Sequence, residues 1–250
     1  MWNRVELKMR GKQAFQYNYW PCVGVAFIMT LISMIFSSGG AGRSRVTFNK
    51  TYYYHDSADL WNSSSYSDIY SMGLPTLGAL FGAVAIVMAL FGALLMVFVG
   101  NVLEVGGKRF FILNQRERAS VGTVMDGFKS GHYGNIVLTM FLRDIFIFLW
   151  ALLLIVPGII KAYEYRMIPY ILSENPGMNY KEAFAISKRM MTGQKLETFL
   201  MDFSFIGWYL LSGITCGLVG IFYVTPYVEA SFAELYSFNR AKAYAEGYIR

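Results

Sequence analysis

A chain of 250 residues has room for one large soluble domain or two ordinary ones, so length leaves the class open. Composition closes it: 55% of residues are hydrophobic, 17% aromatic and only 15% charged, against roughly 25% charged in soluble domains, too few to coat a water-facing surface. The net charge of +6 fits basic segments held on the cytoplasmic side of a bilayer better than nucleic-acid binding. Cys22, Cys216, His55 and His132 are too few and too scattered for a zinc site, so no metal and no cofactor is expected.

Lipid offers no partner to exposed backbone groups, so a membrane-crossing helix needs about 20 mostly apolar residues. The first element, over 3–17, reads as an amphipathic helix opened by Asn3 and Glu6, although Val5, Leu7 and Met9 alternate as in a strand. A first span follows at 20–36, from Tyr19, Trp20 and Pro21 at the interface to Ser37, Ser38, Gly39 and Gly40. A secretory signal competes for this stretch; the long segment before it and its Glu6 speak against that reading. The polar loop 37–73, rich in Tyr, Ser and Asn, is expected outside as a mobile loop, a small cap or an external binding surface. Asn49 and Asn62 stand there in glycosylation-type triplets.

The second span, 77–105, is longer than required and is expected to tilt, with Gly78, Gly82 and Gly92 permitting close packing. Next comes a second amphipathic helix at 120–129, with Val121, Val124, Met125 and Phe128 at helical spacing. Spans three and four, 136–156 and 159–173, meet at Pro157 and Gly158. A third amphipathic helix, 179–191, carries Asn179 and Glu182 as a capping box. Spans five and six, 198–215 and 218–236, meet at Cys216 and Gly217, and the two cysteines are expected at opposite faces without a bond between them. The expected architecture is an all-α membrane bundle forming one integral domain over 1–250. Its six spans make three hairpins, each preceded by a cytoplasmic amphipathic helix.

Basic residues alternate between connections as the positive-inside rule requires. Arg4, Lys8, Arg10 and Lys12, then Lys108, Arg109, Arg116, Arg118 and Lys129, then Lys181, Lys188, Arg189 and Lys195, then Arg240, Lys242 and Arg250 mark the cytoplasmic side, which takes both termini. The implied partner is the lipid bilayer, with anionic lipid drawn to the basic segments. A protein partner or homo-oligomer stays open, and no nucleic acid is expected.

Ionisable residues inside apolar runs are costly and therefore candidate sites. Arg143 and Asp144 fall in the third span, Lys161, Glu164 and Arg166 in the fourth, Asp202 in the fifth and Glu229 in the sixth. At the rise of a helix, the deeper ones lie about 14–21 Å below the outer turns, in the inner half of a bilayer. Arg143 or Arg166 can neutralise Asp144, Asp202 or Glu229, and Lys161 can pair with Glu164 three residues on. Pro169 and Pro226 fall inside helices at similar depth, each freeing a carbonyl and kinking its helix. Two readings stand: a vestibule open to the cytoplasm that binds or passes an amphiphile, peptide or ion, or an ion-pair layer that only fixes helix register. A scaffold whose amphipathic helices and basic loops dock a cytoplasmic partner or anionic lipid is the alternative function. Phosphate-loop, GxSxG and HExxH motifs are missing, so an enzyme using Asp202 and Glu229 as acid and base is the weakest reading.

The C-terminal half carries a recognisable pattern in Pro157 to Tyr163, Pro169 to Leu172, Ser187 to Gly193, Asp202 to Trp208 and Tyr223 to Tyr227. Across 122–236 it resembles the bacterial membrane-protein family known as domain of unknown function 975. The resemblance implies a multi-span helical fold in a bacterial plasma membrane and supplies no activity, substrate or catalytic residue.

Overall fold

The computed structural model describes residues 2–37 and 81–249. The outer loop with its Asn49 and Asn62 triplets, and the expected start of the second span at 77–80, lie outside them. Among the described residues the protein is all helical, without a strand. The chain forms two compact units, Met1–Ser33 with Met96–Arg250, and Met34–Leu95. The described residues 81–95 of the second unit are helical.

In the first unit, α1 (Arg4–Tyr17) starts where the Asn3 side chain accepts the Val5 N–H. It buries Leu7, Gly11 and Phe15, one residue every four, and leaves Val5 and Met9 exposed, which a strand could not do. After it come α2 (Tyr19–Ser37), a wide π-type turn at Met96–Gly100, and α3 (Asn101–Leu113). The second amphipathic element is a tight 3₁₀ turn, Val121–Met125, capped by Ser120, which runs into the one-turn α4 (Asp126–Lys129). Then follow α5 (Tyr133–Leu153), α6 (Ile155–Glu164), α7 (Ile168–Glu174) and α8 (Tyr180–Met191), the last capped by Asn179. The chain closes with α9 (Lys195–Phe203), α10 (Ile206–Ile214), a second wide turn at Gly220–Val224, and α11 (Thr225–Ala245).

Several boundaries differ from the sequence expectation. The turn between α5 and α6 is at Leu154, in extended conformation, three residues before Pro157. Proline lacks an N–H and fits the first turn of a helix, where that donor has no partner anyway. Gly158 then lets the returning helix touch the backbone of Ala151, since a Cβ there would sit 2.6 Å from its Cα. The turn at Cys216 and Gly217 stands as expected, both residues in the left-handed region with φ of 50° and 86°. The apolar run 159–173 is interrupted between Glu164 and Ile168, and the run 198–215 at Ser204 and Phe205. Among the described residues two helices are long and apolar enough to cross a membrane, Phe81–Leu113 and Tyr133–Leu153; Tyr19–Ile32 is apolar but shorter.

The amphipathic elements share one packing rule. Each lies against the inner helix of the preceding hairpin segment, and the first lies against the last, which closes a ring. Gly11 of α1 meets the backbone of Ser231 in α11, Gly106 of α3 meets the Val124 carbonyl of the 3₁₀ turn, and Ser187 of α8 donates to the Glu164 carbonyl of α6 at 2.8 Å. The residue that opens each outer helix repeats the pattern. Tyr19 donates to the Phe222 carbonyl at 3.2 Å, Tyr133 to the Phe98 carbonyl at 2.7 Å, and Lys195 to the Glu164 carboxylate at 2.8 Å. Every one of these acceptors lies in a wide turn or beside a helix break. Phe222 is four residues before Pro226, whose missing N–H would otherwise have bonded that carbonyl.

Three inner helices, α3, α7 and α11, form the centre. Phe110, Phe111, Leu172 and Tyr236 are almost fully buried, and the Tyr170 and Tyr236 rings stack with centroids 5.2 Å apart. At the polar end Arg109 donates to the Ser173 carbonyl at 2.6 Å, and Glu174 takes both Tyr236, at 2.7 Å, and Arg240. Lys8 of α1 reaches the Ser204 hydroxyl at the α9–α10 break and lies over the Phe205 ring; burial and the Arg4 charge hold its ammonium below the usual lysine value.

The Gly106 contact is the tightest of these approaches, because a Cβ there would lie 1.9 Å from the Val124 oxygen. Gly106→Ala should therefore push the 3₁₀ turn off α3 and lower stability by about 1–3 kcal/mol, as overpacking does. Thermal unfolding in detergent measures this, and an unchanged midpoint would show that the turn is not held there.

Candidate functional site

The ionisable residues sort by which helix break or inner helix carries them. Arg143 of α5 is the most connected: Nη1 and Nη2 donate to Glu104 Oε1 and Oε2 at 3.1 and 3.2 Å, and Nε and Nη2 donate to Asp144 Oδ1 at 2.9 and 2.8 Å. Asn101 holds the other Asp144 oxygen at 3.1 Å. One helical turn below Glu104, Lys108 donates to Glu229 of α11 at 2.6 Å, with both side chains more than four-fifths buried, and lies 5.2 Å above the Tyr170 ring.

Arg166, in the break between α6 and α7, grips Asp202 of α9 with two N–H groups at 2.6 and 3.1 Å. Tyr163 adds a third bond to Asp202 at 2.7 Å, and the Arg166 guanidinium lies 3.8 Å from the Phe232 ring centre. Lys161, Glu164 and Lys195 form a separate knot. Glu164 is 3% exposed and accepts from Lys161 at 3.1 Å and Lys195 at 2.8 Å, with Lys188 at 3.8 Å. This knot joins α6, α8 and α9.

The seven sequence candidates thus fall into four groups. Arg143 pairs with Asp144, Arg166 with Asp202, and Lys161 with Glu164; Glu229 is neutralised by Lys108 and by neither arginine. Pro169 and Pro226 stand in the first turns of α7 and α11, directly after a helix break and a wide turn, so the bends precede them. Lys108 was missed because the second span was ended at residue 105, which left it in a basic connection; Glu104 lay inside that span and was passed over. The signal for Glu104 was in the sequence: Val102, Leu103 and Glu104 echo Tyr227, Val228 and Glu229, and both triplets follow a wide turn.

Five of these charges face one cavity of about 320 Å³, walled by Glu104, Lys108, Arg143, Arg166, Tyr170 and Glu229. A second cavity of about 380 Å³ shares Glu104, Lys108 and Glu229 and is otherwise faced by Met29, Ile32, Met96 and Thr225. The Glu164 knot borders neither. Ion pairs in such surroundings are worth little net, because desolvation offsets the attraction, yet an unpaired member would be expensive. The arrangement can bind and orient a polar group.

A larger cavity of about 770 Å³ lies at the polar end between His132, Glu174, Glu182 and Tyr248. Burial and the Glu246 charge push the Tyr248 hydroxyl up, and Arg189 covers its ring at 4.1 Å.

Residues 152–241 match the family model described as a protein of unknown function, DUF975. The match runs from the last turn of α5 into α11, so it includes Arg166, Asp202 and Glu229 and excludes Glu104, Lys108 and Arg143. No curated protein and no solved structure matches the chain.

If the Lys108 and Glu229 pair is held for balance rather than strength, Lys108→Met alone should destabilise by about 3–5 kcal/mol, leaving a buried carboxylate unpaired. Lys108→Met with Glu229→Gln should recover most of that loss. Unfolding midpoints of the two singles and the double give the coupling, and additive losses would show that the pair is not coupled.

Proposed function

We propose that this is a multi-pass membrane protein that binds or passes an amphiphile, peptide or ion through a polar vestibule in the inner half of the bilayer. It has no chemistry of its own. In this reading the six apolar runs are six spans in three hairpins, with both termini and all three amphipathic elements cytoplasmic. The observation that carries the reading is the 320 Å³ cavity walled by five charged side chains and bounded by the break between α6 and α7. Irregular backbone at membrane depth is tolerated where it is buried in protein or lines a wet cavity, and the wide turn at Met96–Gly100 and the break between Glu164 and Ile168 border these two cavities. Support for the spans comes from the outer faces: Leu152, Leu153, Ile155, Val156, Leu210 and Ile214 are all exposed, a surface suited to lipid and not to water.

A scaffold role has its own support. Exposed Val5 and Met9 share α1 with Arg4, Lys8 and Lys12, and exposed Val121, Met125 and Phe128 sit beside Lys129, a composition suited to an anionic membrane surface.

Single cysteines at two half-buried wall positions, Ile147→Cys and Ala162→Cys in a Cys216→Ser background, test the vestibule. A membrane-impermeant thiol reagent should label both from the cytoplasmic side of inverted vesicles and from the other side should not. If neither reacts while Lys188→Cys does, the vestibule is closed to water and the scaffold reading takes its place.

A further inference from the structure

Taking the vestibule reading as its basis, we infer that the site receives a monoanionic oxyanion headgroup, a phosphodiester or a carboxylate, of a membrane amphiphile. Arg166, Lys108 and Tyr170 supply the contacts. The case rests first on hydrogen-bonding capacity. A guanidinium has five N–H groups and an ammonium three. Arg166 gives two bonds, both to Asp202, and Lys108 gives one, to Glu229, so each keeps donors facing the cavity. Tyr170, only 2% exposed, also lines this cavity, and its buried hydroxyl has no partner among the described residues. A buried hydroxyl without an acceptor is destabilising, so an acceptor arriving from outside relieves that penalty.

The acceptors of the wall are largely taken. Both Glu104 oxygens are held by Arg143, and one Glu229 oxygen by Lys108. What the wall lacks is acceptor oxygen. Each cation of the wall already has a carboxylate partner, Lys108 with Glu229, Arg143 with Glu104 and Asp144, and Arg166 with Asp202, so what an incoming oxyanion meets is the donors these pairs leave over.

The choice of an amphiphile over a free anion follows from the neighbouring cavity. It abuts the same Lys108, Glu104 and Glu229 and presents Met29, Ile32 and Met96, apolar surface for hydrocarbon beside the charged wall. A guanidinium with an ammonium and a hydroxyl is also the donor set that phosphodiester and carboxylate oxygens match best.

The test uses the full chain in nonionic detergent, with native mass spectrometry and thermal shift read against five probes: phosphatidylglycerol, oleate, diacylglycerol, dodecyltrimethylammonium and inorganic phosphate. Phosphatidylglycerol or oleate should be retained and should raise the unfolding midpoint, and the stronger of the two identifies the headgroup source. The neutral and cationic amphiphiles should do neither, and inorganic phosphate should bind more weakly than either anionic lipid. Tyr170→Phe should weaken the anionic lipid about tenfold, the worth of one hydrogen bond to a charged group, while leaving the lipid-free midpoint unchanged or higher. Unaltered affinity in Tyr170→Phe, or inorganic phosphate binding as well as the lipids, overturns the inference. Retention of the cationic or neutral amphiphile instead also overturns it but leaves the vestibule standing. Failure of all five probes, with Ile147→Cys and Ala162→Cys unlabelled, removes both.

Discussion

A backbone carbonyl released from a helix in apolar surroundings has to find another donor, and that requirement shapes the centre of this protein. The inner helices depart from regular pitch at Met96–Gly100, between Glu164 and Ile168, and at Gly220–Val224. The Phe98 and Phe222 carbonyls of the two wide turns are met by the opening tyrosines of outer helices, Tyr133 and Tyr19, and the Glu164 carbonyl at the break is met by Ser187, while Lys195 takes the Glu164 carboxylate. The irregular turns and the ring of segments that closes around them are therefore one feature. Without the neighbouring segment each turn would leave an acceptor unmet; without the turns the outer helices would have nothing polar to hold.

The same turns bring charge inside. Glu104 and Glu229 follow wide turns on α3 and α11, and Arg166 lies in the break itself. Lys108 and Arg143 bind these carboxylates to one another's helices, so the cluster is neutralised across elements distant in sequence. Buried ion pairs contribute specificity of register more readily than net stability, and here they leave donors over. Under the proposed function, the unspent N–H groups and the unpartnered Tyr170 hydroxyl are what a bound polar group would meet.

The Glu164 knot has a different character. It joins α6, α8 and α9 through one carboxylate that is 3% exposed and three lysines, and it borders neither the charged cavity nor its neighbour. Its role is to tie an amphipathic helix to the bundle, as the Gly11 and Gly106 approaches do for the other two.

The helical class, the Asn3 and Asn179 caps and the Lys161 pairing with Glu164 were legible in the residues, because apolar run length, capping side chains and helical spacing are local properties. The Arg143 pairing with Asp144 and the Arg166 pairing with Asp202 were each one of several arrangements the residues permitted, and Glu104, which takes two Arg143 bonds, was not among them. The position of the α5–α6 turn was misjudged by three residues because proline was read as the corner itself, when it also suits the first turn beyond it. Lys108 could not be seen as a site residue, since only the packing of α3 against α5 and α11 turns a basic connector into a buried wall, whereas Glu104 had a signal in its echo of Glu229. Which charges share a cavity, which tyrosine is left without a partner, and that the last segment closes on the first were decided by tertiary structure. Those depend on contacts between residues 36 or more positions apart, and no local pattern encodes them.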